Sequence, residues 1–109
     1  MAEIRFSPEA INDLEQTKTY ITEELGSAPA AIHTVTEIMK RIRMLSVFPE
    51  AGTPLSSIVS YDLPYRFLVC DKYLAFYRYE QDTVYIVRIL YGKRDYLRIL
   101  LNKPDDEEN

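Results

Sequence analysis

The sequence predicts an α+β fold in which an N-terminal strand and an antiparallel helix hairpin pack on an antiparallel β-sheet. A short C-terminal helix or extended segment follows. Three observations carry this. Two helix-start signals, Ser7-Pro8-Glu9 and Ser27-Ala28-Pro29, each precede apolar residues at spacings of three and four. From Tyr65 onward the chain changes to runs of aromatic and β-branched residues separated by two- or three-residue polar breaks. Between the halves lies Phe48-Pro49-Glu50-Ala51-Gly52-Thr53-Pro54, whose prolines and glycine mark a loop.

Each element has a local cause. Ile4 and Phe6 alternate with Glu3 and Arg5, the two-residue period of a first strand. Ser7 supplies an N-cap hydroxyl, Pro8 a preset first helical position and Glu9 an acid for the first turn. Ile11, Leu14, Ile21 and Leu25 follow at helical spacing, with Lys18 interrupting the stripe, and Gly26 is placed to end the helix in the left-handed conformation. Ser27 caps the second helix, whose apolar face is Ala28, Ala31, Ile32, Val35, Ile38, Met39, Ile42 and Leu45. With almost no linker, the two helices must be antiparallel. Tyr65–Cys70, Tyr73–Tyr79 and Thr83–Tyr91 are predicted strands, and the breaks at Asp71-Lys72 and Glu80-Gln81-Asp82 make them a meander. Both faces of the last two strands are largely apolar. One face takes the hairpin; the other requires a third element, a partner or a ligand. Gly92 breaks the last strand, and Arg94 to Leu101 forms a short helix or an extended segment.

Composition bounds the functional classes. A chain of 109 residues with 47% hydrophobic and 28% charged residues has the size and balance of one globular domain. Residues 1–103 are expected to form it, with 104–109 an acidic, disordered tail. The net charge of −4 comes from Asp105, Asp106, Glu107 and Glu108; the rest is balanced, with thirteen bases. Proteins that hold nucleic acid chiefly through phosphates usually carry a basic surplus, so the balance argues against strong sequence-independent binding. Without an apolar run of about 20 residues or a basic segment leading into an apolar one, neither a membrane span nor a secretion signal is expected. A cytoplasmic protein is expected. The lone cysteine, Cys70, lies in an apolar run and is expected to be buried and reduced. One cysteine and one histidine cannot assemble a zinc cluster, and three scattered glycines make no phosphate loop, so neither metal nor cofactor is expected. His33 is expected at the boundary or surface of the second helix.

The informative cluster is basic and aromatic. Arg66 follows Tyr65 at the head of a strand, and Arg88, Lys93, Arg94 and Arg98 lie in or after the last strand with Tyr91 and Tyr96. Guanidinium groups pair with phosphates or carboxylates, and tyrosines stack on bases or pack against proteins. Exposed arginines and tyrosines are also ordinary strand residues. Lys40, Arg41 and Arg43 form a second basic group, at a helix C-terminus where cations offset the macrodipole.

The order of elements, and particular residues within it, resembles the RelE/ParE toxins of type II toxin–antitoxin systems, more closely ParE. Ile4-Arg5-Phe6-Ser7-Pro8-Glu9-Ala10 with Asp13-Leu14, Tyr20-Ile21 before Gly26, and Leu45 with Phe48 to Leu55 are similar to the family's first half. Tyr65-Arg66-Phe67-Leu68-Val69, Phe76-Tyr77-Arg78-Tyr79 and Val87 to Asp95 complete it. The resemblance covers nearly everything before the tail. It implies a cognate antitoxin whose C-terminal segment wraps the toxin, with a homo-oligomer or toxin–antitoxin heterotetramer as a possible assembly.

Two targets follow from the resemblance. A ParE-like member inhibits DNA gyrase without established catalytic residues, and Tyr91, Lys93, Arg94, Tyr96 and Arg98 would then contact the target. A RelE-like member is an mRNA interferase that cleaves mRNA in the ribosomal A site, with Arg66, Arg94 and Tyr91 as its catalytic candidates. A third reading is a non-toxic binding module of the same fold. The long hairpin, the balanced charge and the partial RelE set favour ParE. The RelE C-terminal tyrosine would fall near Leu100, and Tyr91 stands where many relatives carry histidine. A general base for the ribose hydroxyl is not evident among these residues.

Overall fold

The computed structural model describes residues 1–59, 62–92 and 96–100. Strand β1 (Glu3–Phe6) leads into helices α1 (Pro8–Glu24) and α2 (Ala28–Arg43), followed by a 3₁₀ turn at Met44–Ser46. Strand β2 (Thr53–Pro54) is a two-residue edge, and a second 3₁₀ turn covers Leu55–Ser57. Strands β3 (Arg66–Cys70), β4 (Tyr73–Glu80) and β5 (Thr83–Tyr91) form the meander, and α3 (Tyr96–Leu100) follows. The predicted α+β architecture is present, with one refinement. The first strand enters the sheet itself, in parallel with β5, so the sheet is mixed and ordered β1-β5-β4-β3-β2.

The caps and turns follow the local chemistry. The Ser7 and Ser27 hydroxyls accept from the Ala10 and Ala30 amides. Gly26 adopts a φ of +67°, the left-handed conformation needed to leave α1 and begin α2 without a linker. Gln81 and Asp82 both have positive φ, the geometry of a tight hairpin turn whose twist matches its strands.

The helical stripes needed correction. Ile11 of α1 and its C-cap Leu25 are 52% and 63% exposed, whereas Ala10, Asp13, Thr17 and Ile21 are buried. Ile32 of α2 is likewise exposed, and Ala31, Ile38 and Ile42 make the contact. In α1 the buried face includes the small Ala10 and Thr17 beside Ile21, whereas in α2 Ile38 and Ile42 are buried as their spacing predicts. The helix-side core joins Ile38, Ile42 and Leu45 to Leu68, Cys70, Ala75, Tyr77, Val84, Ile86 and Ile89. On the opposite face Leu55, Phe76 and Leu90 form a second cluster beneath Tyr96, Leu97, Ile99 and Leu100 of α3. The third element required by the two-sided sheet is therefore α3.

One irregularity positions the site. β4 and β5 pair in register from Tyr73 with Tyr91 to Phe76 with Arg88, then resume at Tyr77 with Ile86. Val87 is the extra residue of a β-bulge, which reverses the alternation of faces. Ile86 and Ile89 both reach the helix-side core, while Val87 packs against the α3 cluster.

Candidate functional site

The bulge joins the start of α1 to β5. The Ser7 hydroxyl donates to the Val87 carbonyl at 2.8 Å while accepting from the Ala10 amide at 2.9 Å. A single side chain thus satisfies a helix-terminal donor and the carbonyl at the bulge. Beyond the bulge, Arg88 is held by Asp13 of α1, with Nε and Nη2 donating at 2.8 and 2.9 Å to the two carboxylate oxygens. The Ile89 amide also donates to Asp13 Oδ2 at 2.9 Å. β1 pairs with β5 only as far as Ile86, so Asp13 serves an edge amide that β1 does not reach. The carboxylate raises the Arg88 pKa through its hydrogen bond, against the opposing effect of burial. Arg88, grouped by sequence with the basic cluster, is bound to Asp13 of α1.

Arg66 is similarly engaged. Its Nη1 donates to the Gly52 carbonyl at 2.8 Å and the Glu50 carbonyl at 3.2 Å. Opposite it in the ladder stands Tyr77, whose buried hydroxyl accepts from the Gly52 amide at 2.9 Å and donates to the Pro49 carbonyl at 2.8 Å. Burial pushes the Tyr77 pKa up, so the hydroxyl remains a donor at neutral pH. A Cβ on Gly52 would lie 2.7 Å from the Tyr77 ring and 2.8 Å from the Phe67 carbonyl oxygen. Arg66 and Tyr77 together latch the loop of residues 49–52 onto the sheet.

Tyr91 and Tyr96, which sequence places in one target-contacting segment, occupy different surroundings. Tyr91 is 37% exposed, and its ring meets that of Tyr73 edge-on, with centroids 5.6 Å apart. Both line a cleft of about 280 Å³ between α1 and the end of β5, with Tyr20, Gln16, Thr17 and Asp13. Burial holds the Tyr73 pKa above the ordinary tyrosine value. Tyr96 lies in α3 with its ring 5.3 Å from that of Phe76. Arg98 is in the last turn of α3. Lys93 and Arg94 lie outside the described residues, as does the tail 104–109.

Two further strand arginines are also engaged locally. Arg5 pairs with Glu3, and Arg78 pairs with Glu80 while its guanidinium lies 4.4 Å from the Tyr85 ring centroid. Every arginine on strands β1 to β5 therefore has a partner within the chain. In the second basic group, Arg41 donates to the Val69 carbonyl at 3.1 Å and ties α2 to β3. His33 is exposed on α2. Among the described residues no three His, Cys, Asp or Glu side chains are grouped to hold a metal, and no helix is long and apolar enough to cross a membrane.

Sequence reasoning missed Asp13 and Tyr77, and it did not join Tyr20 and Tyr73 to Tyr91. A signal existed for Asp13: Ala10, Asp13, Thr17 and Ile21 keep helical spacing once small and polar residues are admitted to the buried face. Nothing local marks the Tyr77 hydroxyl, because the loop it holds comes from another part of the chain.

A family match and one solved structure agree with this architecture. A family model described as the ParE toxin of the type II toxin-antitoxin system, parDE, matches residues 4–96. Among solved structures, "Chromosomal ParDE TA system from P. aeruginosa" is similar at a TM-score of 0.72 and 20% identity, covering 85% of this chain and 98% of that one. The crystal structure of YafQ from E. coli strain BL21(DE3) gives a TM-score of 0.45 and 11% identity, covering 84% and 93%. No curated protein sequence matches.

Proposed function

We propose that this chain, which belongs to the ParE toxin family of type II toxin–antitoxin systems, inhibits DNA gyrase as a bound protein rather than by cleaving RNA. The observation that carries this reading is the commitment of the strand arginines. Cleavage of a ribose–phosphate backbone needs cations aimed at a developing phosphorane. Arg66, one candidate for that task, is turned to the Glu50 and Gly52 carbonyls. Arg88 is held by Asp13. The balanced charge of the chain before its acidic tail also lacks the cationic excess suited to a site among ribosomal phosphates.

In this reading residues 1–103 are one toxin domain with an acidic tail at 104–109, and the protein works in the cytoplasm. Its target contacts are Tyr91, Lys93, Arg94, Tyr96 and Arg98. A cognate antitoxin neutralises it by covering surface that includes exposed apolar side chains of the hairpin, such as Ile11, Leu25 and Ile32.

Pulse-labelling of DNA and protein synthesis within minutes of induction tests the mechanism. DNA synthesis should stop first, and purified toxin should inhibit supercoiling by gyrase from the native host. Translation collapsing first, with message cut in the A site, would reject gyrase and restore the mRNA interferase alternative.

A further inference from the structure

The cleft beside Tyr91 has a composition that selects its occupant. Three tyrosines line it: Tyr73 and Tyr91 in edge contact, and Tyr20, 54% exposed, from α1. Its volume of about 280 Å³ accommodates one long side chain rather than a folded element. The carboxylate at its floor is already used, since Asp13 is bound to Arg88 and the Ile89 amide. Gln16 and Thr17 are neutral, so the features left to attract charge are the rings, whose faces attract cations.

The surroundings point the same way. Gln16 and Tyr20 are shared with a shallow groove along α1 that also includes Glu15, Glu23 and Glu24. These three glutamates are exposed and form no salt bridge among the described residues. Asp71 acts electrostatically on Tyr73 from the β3–β4 turn. The nearby Arg88 charge is offset by Asp13. Lys18, the one base in α1, is two residues from Tyr20 and so does not share its face.

We propose that the cleft of Tyr20, Tyr73 and Tyr91 receives an arginine or lysine side chain from a basic protein segment lying along the acidic side of α1. The tyrosines hold the cation and the alkyl stem beneath it, while Glu15, Glu23 and Glu24 attract the neighbouring positive charges. The assignment rests on charge and ring geometry, and it stands whether or not gyrase is the toxin's target.

The test titrates the full chain, isotopically labelled in its tyrosine rings, with a hexa-arginine peptide and its neutral hexa-citrulline counterpart. The arginine peptide should shift the Tyr20, Tyr73 and Tyr91 ring signals, and the citrulline peptide should bind at least about tenfold more weakly. Tyr20→Leu should weaken binding about fivefold, and Tyr20→Phe, which keeps the ring, should restore it. Tyr20 is largely exposed, so both variants should melt like the parent; Glu23→Gln with Glu24→Gln should weaken binding and flatten its salt dependence. Three outcomes overturn the proposal: equal binding of the two peptides, arginine binding that leaves the cleft rings unmoved or survives Tyr20→Leu unchanged, or no binding up to about 1 mM.

Discussion

Asp13 and Arg88 stand seventy-five positions apart in the chain and meet through hydrogen bonds of 2.8 and 2.9 Å, with the Asp13 residue only 6% exposed. The pair closes α1 onto β5 where β1 has ended, and the same carboxylate accepts from the Ile89 amide. A buried ion pair is a modest source of net stability, but one with a partner missing leaves an uncompensated charge.

Asp13→Ala should therefore destabilise the fold by about 3–5 kcal/mol, because it strands both the Arg88 guanidinium and the Ile89 amide. The double change Asp13→Leu with Arg88→Met should recover much of that loss. Urea denaturation of the three proteins measures both effects. A loss below about 1 kcal/mol in the single variant would mean that solvent replaces the pair.

Tyr77→Phe removes the latch hydroxyl without altering the ring. It leaves the Gly52 amide and Pro49 carbonyl without that partner, at a cost of about 1–3 kcal/mol. Gly52→Ala attacks the same contact from the other side and should cost a similar amount, since one of its close neighbours is backbone. Amide exchange accelerated more in residues 50–52 than in β4 would locate the loss in the loop; uniform acceleration would contradict a local latch.

Arg66→Ala should lower stability by about 1–2 kcal/mol through the loss of two carbonyl contacts. Under the latch role, the remaining toxicity should follow the folded fraction across Arg66→Ala, Arg66→Lys and Tyr77→Phe. Growth inhibition and melting temperature, measured together, decide this. Abolished toxicity in a fully folded Arg66→Ala protein would give the guanidinium a direct part in poisoning.

Burial pushes the Cys70 thiol up to about 11 from its ordinary value of 9.0. A raised acid is neutral in the folded state while the unfolded chain already ionises. Its contribution is intact below pH 9.0 and is lost as pH rises toward about 11. Across that window the unfolding free energy of the native protein, measured in urea, should fall more steeply than that of Cys70→Ala, by up to about 1 kcal/mol per pH unit. Thiol labelling at pH 8 should be slow until denaturant is added. Parallel slopes in the two proteins would show that the thiol ionises freely in the fold.

Much of the architecture was legible because its signals are local. A serine hydroxyl three residues before an amide, a proline that fixes φ and a glycine free to reach +67° act within a single turn of chain. These residues, with the alternation of the strands, determined the helix hairpin, the meander and the need to cover both sheet faces. The order of motifs also carried the family. The tertiary structure alone decided the parallel docking of β1 against β5, the bulge at Val87 and the exposure of Ile11 and Leu25. It also brought Arg66 to the carbonyls of the loop of residues 49–52 and Arg88 to the Asp13 carboxylate. The physical reason is common to these cases. A guanidinium takes whichever acceptor the fold brings within about 3 Å, and the acceptors here come from α1 and the loop of residues 49–52. Their distance from the arginines in sequence leaves no local pattern from which the pairing could be read.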